Sequence, residues 1–332
     1  MVRRRRQKAL VSDAIALPLL VGAGVLAAAD IGRRIYRHTQ IFLPSREPVR
    51  SWDPADYGIP AGAVEEHWID TPDGETLHAW YCRAPRPVAS GIFCHGNTGN
   101  LTTSADIIPH LLDAGFNVLF FDYRGFGRST GHASYNGVIA DGVTAARFHE
   151  TIRPRALPSV LYGFSLGGAI AAQVIRRHPF DALILQSTFT SLPALTRFLF
   201  PRLPLHLLSG NLFDTLSVVR QLQVPLLVLH GTKDEVCPGS MARQLHDAAA
   251  VAKQLHLVEG GMHKDLYTRD PDALIWAISQ FVAGLPQKVH RTFSVEEPPA
   301  LEQWVNAALR SLRRMVRRKG SVIASAAAVR GS

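Results

Sequence analysis

Short, largely apolar runs alternate along this chain with segments whose apolar residues recur at helical spacing. Residues 88–93, 117–121, 159–162, 182–185, 224–230 and 253–258 are runs of the first kind. They are too short for helices, and polar or glycine-rich turns bound them, so they read as buried strands. Residues 104–113, 135–151, 168–175, 240–250 and 272–283 are of the second kind. In 135–151, for example, Val138, Val143, Ala146 and Phe148 carry the helical spacing. Two earlier runs, 64–70 and 76–82, flank Thr71-Pro72-Asp73-Gly74-Glu75 and read as a hairpin. Strand and helix in alternation predict an α/β domain over 64–286, with a mostly parallel central sheet and helices on both faces.

Residues 188–216 break this rhythm. They hold Phe189, Phe198, Phe200 and Phe213, several leucines, and Pro193, Pro201 and Pro204. The segment falls at the carboxyl end of the sheet and is too short for an independent domain. It reads either as a small apolar cap that shapes an acyl pocket or as a loop packed on the core. Ahead of the domain, residues 38–63 carry Pro44, Pro48, Pro54, Gly58, Pro60 and Gly62, and read as a linker with little regular structure.

Composition adds two constraints. Of the 332 residues 47% are hydrophobic, which excludes global disorder. Three cysteines, Cys82, Cys94 and Cys237, imply no disulfide framework. The net charge of +9 is unevenly placed: residues 1–37 and 301–332 each carry +6, which leaves −3 on 38–300. A nucleic-acid reader would usually carry its basic patch on the folded domain. Basic ends on an acidic body point to a membrane surface or another anionic partner, and to no nucleic acid.

The N-terminal residues 1–37 open with Arg3-Arg4-Arg5-Arg6-Gln7-Lys8. No charge then occurs from Ala14 to Ala29, and Arg33, Arg34 and Arg37 follow. Counted from Ala9, with Asp13 near the interface, the stretch is about 20 residues, enough to span a bilayer. The arginines would hold its start in the cytoplasm and place the catalytic domain on the far side of a single-pass anchor. Two other readings stand beside it. Ala27-Ala28-Ala29 fits a signal-peptidase site that would release a secreted or periplasmic protein, and the stretch also fits a buried amphipathic helix of a cytosolic one. In the C-terminal 287–332, Leu301, Trp304, Val305, Ala308, Leu312, Met315 and Val316 fall at helical spacing. Arg310, Arg313, Arg314, Arg317 and Arg318 lie mostly on the other side. This basic amphipathic helix would lie on an anionic bilayer or pack on the domain with a solvated basic face.

The chemistry centres on Gly163-Phe164-Ser165-Leu166-Gly167, between an apolar strand and a helix free of proline. A serine at so sharp a bend has its hydroxyl lifted above the sheet, and glycines on both sides avoid clashes between strand and helix. Attack by a hydroxyl needs a base, and the base needs an acid that fixes its tautomer. Two later strands each end in such a residue: Asp234 after His230-Gly231, and His263 after Glu259-Gly260-Gly261-Met262. Asp234 is preferred to Glu235 because it comes earlier after the turn, and Asp265 sits too close to His263 in sequence. His246 and His256 fall inside a helix and a strand and read as structural. The strand at 88–93 ends in Cys94-His95-Gly96-Asn97-Thr98-Gly99-Asn100. The N–H of Asn97 is therefore a candidate oxyanion donor, and His95 a structural histidine that pins the loop.

These segments, with Asp122-Tyr123-Arg124-Gly125-Phe126-Gly127-Arg128-Ser129, resemble the α/β-hydrolase superfamily. Within it they are similar to the Bem46-like group, with its ABHD13-type and ABHD17-type members. The resemblance covers about residues 40–285. It implies Ser165 as nucleophile, Asp234 as acid, His263 as base, and the N–H groups of Asn97 and Leu166 as the oxyanion hole. It also implies membrane-tethered serine hydrolases, some of which cleave acyl thioesters. The cysteine-rich lipidated N-terminus of the depalmitoylating branch is absent here, so that activity is not carried over.

The expectation is a cofactor-independent, membrane-associated hydrolase of carboxylic esters or thioesters. Its substrate would be a small-molecule or lipid-like acyl ester, cleaved through an acyl-enzyme. A peptidase or amidase on the same triad, or a binding protein on a hydrolase fold, are the alternatives. No metal-ligand cluster stands out, and the glycine-rich loops lack the Gly-Lys-Ser/Thr of a P-loop.

Overall fold

A computed structural model describes residues 41–207 and 210–285. Eight strands form the central sheet: β1 (Val64–Asp70), β2 (Thr76–Cys82), β3 (Ala89–Cys94), β4 (Phe116–Phe121), β5 (Ser159–Phe164), β6 (Ala182–Gln186), β7 (Leu226–Gly231) and β8 (Lys253–Val258). Their spatial order is β1-β2-β4-β3-β5-β6-β7-β8. β2 runs antiparallel to both β1 and β4, and every other neighbouring pair is parallel. In this order β3 and β5 are neighbours, with Cys94 opposite Gly163. The loop after β3 therefore opens beside Ser165.

The helices are α1 (Ile108–Asp113), α2 (Tyr135–Ile152), α3 (Leu166–Ile175), α4 (Leu192–Leu199), α5 (Thr215–Arg220), α6 (Gly239–Ala248), α7 (Leu266–Arg269) and α8 (Pro271–Ala283). Strand alternation sorts the core into two layers. On β4, Leu119 and Phe121 join the cluster under α2, α3, α5 and α6, while Phe116, Val118 and Phe120 join the one under α1 and α8. Phe120 stacks on Phe93 at 4.3 Å between centroids. Each such buried ring stabilises the fold by about 1.5–3 kcal/mol relative to exposure. The expected helix over 104–113 is split. A 3-10 segment, Leu101–Ile107, leads into α1, because Asn100 caps the earlier start and Pro109 sits in the first turn of α1.

The proline-rich segment read as a linker with little regular structure is docked on the domain. Ile41, Phe42, Tyr57 and Ile59 are buried. Leu43–Pro44 pairs in parallel with Thr98–Gly99. The Leu43 N–H donates to the Asn97 carbonyl at 2.8 Å, and the Ser45 N–H to the Gly99 carbonyl at 2.7 Å. The Asn100 side-chain amide donates back to the carbonyls of Ser45 (3.2 Å) and Glu47 (2.7 Å). Prolines limit the ladder to two residues, and tertiary burial holds the rest.

Arg124, on the loop after β4, ties three elements together. It donates to Asp73 in the hairpin turn at 2.7 Å and to Asp141 on α2 at 2.7 Å. The Arg124 guanidinium and the Thr71 hydroxyl hold the Asp73 carboxyl down to about 2. Among the described residues no helix is long and apolar enough to cross a membrane. The expected anchor over 9–29 and the basic helix over 301–318 lie outside the described residues.

Candidate active site

Ser165 sits between β5 and α3 with φ 54° and ψ −121°, and is 7% exposed. A non-glycine residue adopts that φ only when its surroundings enforce it. Here the Ser165 N–H donates to the Gln186 carbonyl at 2.9 Å, and its carbonyl accepts from the Gly168 N–H (3.0 Å) and the Thr188 hydroxyl (2.7 Å). The flanking glycines are required by close approach. A Cβ on Gly167 would lie 1.9 Å from the Cys94 carbonyl oxygen, and one on Gly163 2.4 Å from the Gly167 carbonyl oxygen.

Asp234 and His263 lie on the loops after β7 and β8, and backbone hydrogen bonds zip those loops together. Thr232 N–H donates to the Val258 carbonyl at 3.0 Å, and Lys233 N–H to the Gly261 carbonyl at 2.8 Å. The Asp234 side chain is fully buried. One of its oxygens accepts the N–H groups of Val236 (2.9 Å) and Cys237 (2.8 Å), which fixes the carboxylate. His263 Nδ1 is 2.9 Å from Asp234 Oδ2, and His263 Nε2 is 3.0 Å from Ser165 Oγ. A carboxylate only accepts, so Nδ1 carries the proton and Nε2 is free to accept from the serine hydroxyl. The structure thus joins Ser165, His263 and Asp234 in one hydrogen-bonded chain.

Asn97 and Leu166 line the same cavity as Ser165. Among the described residues no hydrogen bond uses either backbone N–H. Leu166 opens α3, where the first N–H groups have no partner within the helix. The other titratable residues weighed from sequence fall elsewhere. His95 Nδ1–H donates to the Gly96 carbonyl at 2.8 Å, and the ring lies 4.4 Å from Tyr123, so it braces the loop. Asp265 accepts the Met262 N–H at 2.6 Å and pairs with Arg269. Among the described residues Glu235 accepts the His263 backbone N–H, at 3.4 Å, and makes no hydrogen bond to its ring. His246 pairs with Asp247 on α6, and His256 is within β8.

Sequence reasoning missed His230. Its Nε2–H donates to the Cys237 carbonyl at 2.7 Å and lies 3.3 Å from Asp234 Oδ2. Burial pushes its pKa down, so the ring is a neutral brace behind the acid. Its place at the end of β7, just before the acid loop, was the available signal. Also missed was a polar floor. The Tyr162 hydroxyl donates to Gln186 Oε1 at 2.6 Å and lies 2.8 Å from the Tyr267 hydroxyl.

A cavity of about 680 Å³ opens over Ser165. Phe189, Leu192, Leu195, Leu199 and Phe200 line it from the 188–216 insertion, and Ile41, Ile107, Phe164 and Val236 from the body. The face of α4 that reaches the cavity is Leu192, Leu195, Thr196 and Leu199, at helical spacing. Among the described residues no aspartate or glutamate lines the cavity. The three cysteines are free and buried. Burial raises the thiol pKa of each, that of Cys94 to about 12, and none is placed for nucleophilic chemistry.

The chain matches the family model described as serine aminopeptidase, S33, over residues 85–218 and 212–270. An uncharacterised protein of Mycobacterium tuberculosis is 31% identical over 277 residues, covering 81% of this chain and 93% of that protein. The lysophosphatidylserine lipase ABHD12 of Danio rerio is 32% identical over 225 residues, covering 60% of this chain and 56% of the lipase. Among solved structures, the Pyrococcus furiosus esterase Pf2001 superposes with a TM-score of 0.61 at 20% identity, over 74% of this chain and 98% of that one. At that identity the likeness concerns the fold. The chain therefore belongs to the α/β-hydrolase superfamily and is a serine hydrolase of the family whose model spans most of its described domain.

Proposed function

We propose that this protein hydrolyses carboxylic esters or thioesters of apolar acyl groups through a covalent acyl-enzyme. The observation that carries the proposal is the Asp234–His263–Ser165 hydrogen-bonded chain at the base of a mainly apolar cavity. Ser165 Oγ attacks the acyl carbonyl while His263 Nε2 takes its proton. Asp234 holds the imidazole tautomer and stabilises the imidazolium that forms. The N–H groups of Asn97 and Leu166 receive the negative oxygen, and each such donor is worth about 10²–10³-fold in rate. His263 then protonates the leaving alcohol or thiol. Water, activated by the same ring, cleaves the acyl-serine and regenerates the enzyme.

The family's aminopeptidase description is the competing reading. An aminopeptidase must seat the substrate's α-ammonium close to the nucleophile, and among the described residues no carboxylate lines this cavity to receive it. The lipase relative supports the ester reading, and the apolar lining supports an acyl chain over a peptide. The membrane anchor over 9–29, with the catalytic domain beyond the cytoplasm, is part of this proposal but separate from the chemistry. Retention of the full chain in membranes after alkaline carbonate washing supports the anchor, and release removes it.

Hydrolysis of p-nitrophenyl esters from acetate to palmitate, beside aminoacyl p-nitroanilides, tests the reaction class. The proposal expects ester cleavage that rises with acyl length until the cavity is filled, and that is absent in Ser165→Ala. Anilide cleavage with no ester cleavage would replace it with the peptidase reading.

A further inference from the structure

Five large apolar side chains stand exposed within ten residues of the cap: Phe198, Leu199, Phe200, Leu203 and Leu207, between 40% and 67% exposed. They run from the last turn of α4 through the 3-10 turn Pro204–Leu207. Two of them, Leu199 and Phe200, also line the cavity over Ser165, so the exposed apolar edge continues into the site. Soluble proteins rarely leave so concentrated an apolar edge uncovered without a partner. Arg197 and Arg202 are exposed in the same stretch, and residues 192–213 contain no aspartate or glutamate.

We propose that this cap edge seats on a lipid bilayer bearing anionic head groups, with its apolar side chains in the acyl region and Arg197 and Arg202 among the phosphates. Charge selects this occupant over the two others at hand. A second copy placed symmetrically on the same edge would set these arginines against their own counterparts. The chain's C-terminal segment 301–318 carries Arg310, Arg313, Arg314, Arg317 and Arg318, and meets the same repulsion. An anionic bilayer satisfies both the apolar and the basic character of the edge.

The path of the chain agrees. The uncharged run 14–29 ends only residues 30–40 before Ile41, and Ile41 lines the cavity. A segment of that length reaches about 40 Å when fully extended. A chain held at a membrane by 14–29 thus has its cavity mouth within reach of the same membrane. Docking stands without the ester reading. Only the consequence that an acyl chain passes from the bilayer past Leu199 and Phe200 rests on that reading.

Site-specific fluorescence on the full chain tests the docking independently of activity. Cys82, Cys94 and Cys237 are all buried, so a new surface thiol takes a nitrobenzoxadiazole probe selectively. Leu203→Cys reports from the cap edge, and Trp276→Cys, exposed on α8, from elsewhere on the domain. On phosphatidylcholine–phosphatidylglycerol vesicles the probe at 203 should shift to the blue, brighten by roughly two-fold or more, and be quenched by brominated acyl chains, with the probe at 276 unchanged. An unshifted probe at 203 on a chain that sediments with these vesicles would overturn the proposal, because other segments then make the contact. A blue-shifted probe at 203 that is indifferent to added lipid would overturn it as well, because the chain then covers its own edge.

Discussion

The Leu43 N–H donates to the Asn97 carbonyl across a two-residue parallel pairing, at 2.8 Å. Asn97 is the candidate oxyanion donor on the loop after β3, so the segment ahead of the domain holds part of the site in place. In the proposed reaction the docked strap would position the Asn97 loop and take no part in the chemistry. The Leu43 side chain is half exposed, which isolates the backbone contribution. Leu43→Pro removes the donor, and a lost hydrogen bond of about 1 kcal/mol corresponds to a fall in kcat of roughly 3–10-fold. KM should stay near its original value, and Leu43→Ala, which keeps the N–H, should stay within about two-fold of wild type in both constants. Steady-state kinetics on a soluble ester checks both variants.

In the proposed reaction Asp234 acts through the tautomer of His263, with His230 packed behind the acid. Asp234→Asn should lower kcat on the order of 10⁴-fold, because the amide leaves the imidazole proton on the wrong nitrogen. His230→Phe should cost far less, roughly ten-fold, because the N–H groups of Val236 and Cys237 still hold the carboxylate. Stopped-time assays at equal folded concentration separate the two effects.

The elbow leaves no room for a methyl group at Gly167. Gly167→Ala drives a Cβ to 1.9 Å from the Cys94 carbonyl oxygen, a backbone atom at the end of β3. The variant should lose about 3 kcal/mol or more of stability, and whatever folds should be inactive, because relief of the clash displaces Ser165 from the oxyanion loop. Urea unfolding measures the first effect and ester hydrolysis the second.

The juxtaposition of the candidate site residues was legible in the chain because each of them follows a strand. Ser165, Asp234 and His263 stand at the ends of β5, β7 and β8, and short apolar runs mark those strands without any tertiary information. The change in rhythm at 188–216 left a cap and a loop packed on the core as alternatives, and in the structure Phe189, Leu192, Leu195, Leu199 and Phe200 of that segment line the cavity. The strap was not legible. Pro44, Pro48 and Pro54 read locally as a linker, and only the pairing of Leu43 with the 97–99 loop, more than fifty residues on, gives it a fixed place. His230 escaped for a related reason: its role depends on the fold of the Asp234–Cys237 turn over the end of its own strand. The Arg124 link between Asp73 and Asp141 was hidden in the same way, since sequence shows the charges and not which of them meet.

Acid should weaken the fold through a group remote from the site. His149 on α2 is buried, with its Nε2 2.8 Å from the Ser90 hydroxyl. Burial, with the charges of Arg153 and His178, lowers its pKa from 6.5 to about 3. The unfolded chain therefore binds the extra proton first as pH falls. The stability that His149 contributes is complete above pH 6.5 and is lost between there and about 3, by at most about 1.4 kcal/mol per pH unit. His149→Gln should flatten that part of the stability profile. Asp73, with its carboxyl held down to about 2 against 3.8, adds a smaller loss below pH 3.8, screened because its side chain is 56% exposed. Urea midpoints between pH 7 and 3 check the slope.

The central claim is that Ser165 is a nucleophile activated by His263. The most direct measurement is reaction of the full chain with a fluorophosphonate, followed by peptide mapping, in wild type and in His263→Ala. One adduct on Ser165 is expected in the wild type, abolished by Ser165→Ala and strongly slowed in His263→Ala. A folded wild-type chain that leaves Ser165 unlabelled, or that labels equally well without His263, would contradict it.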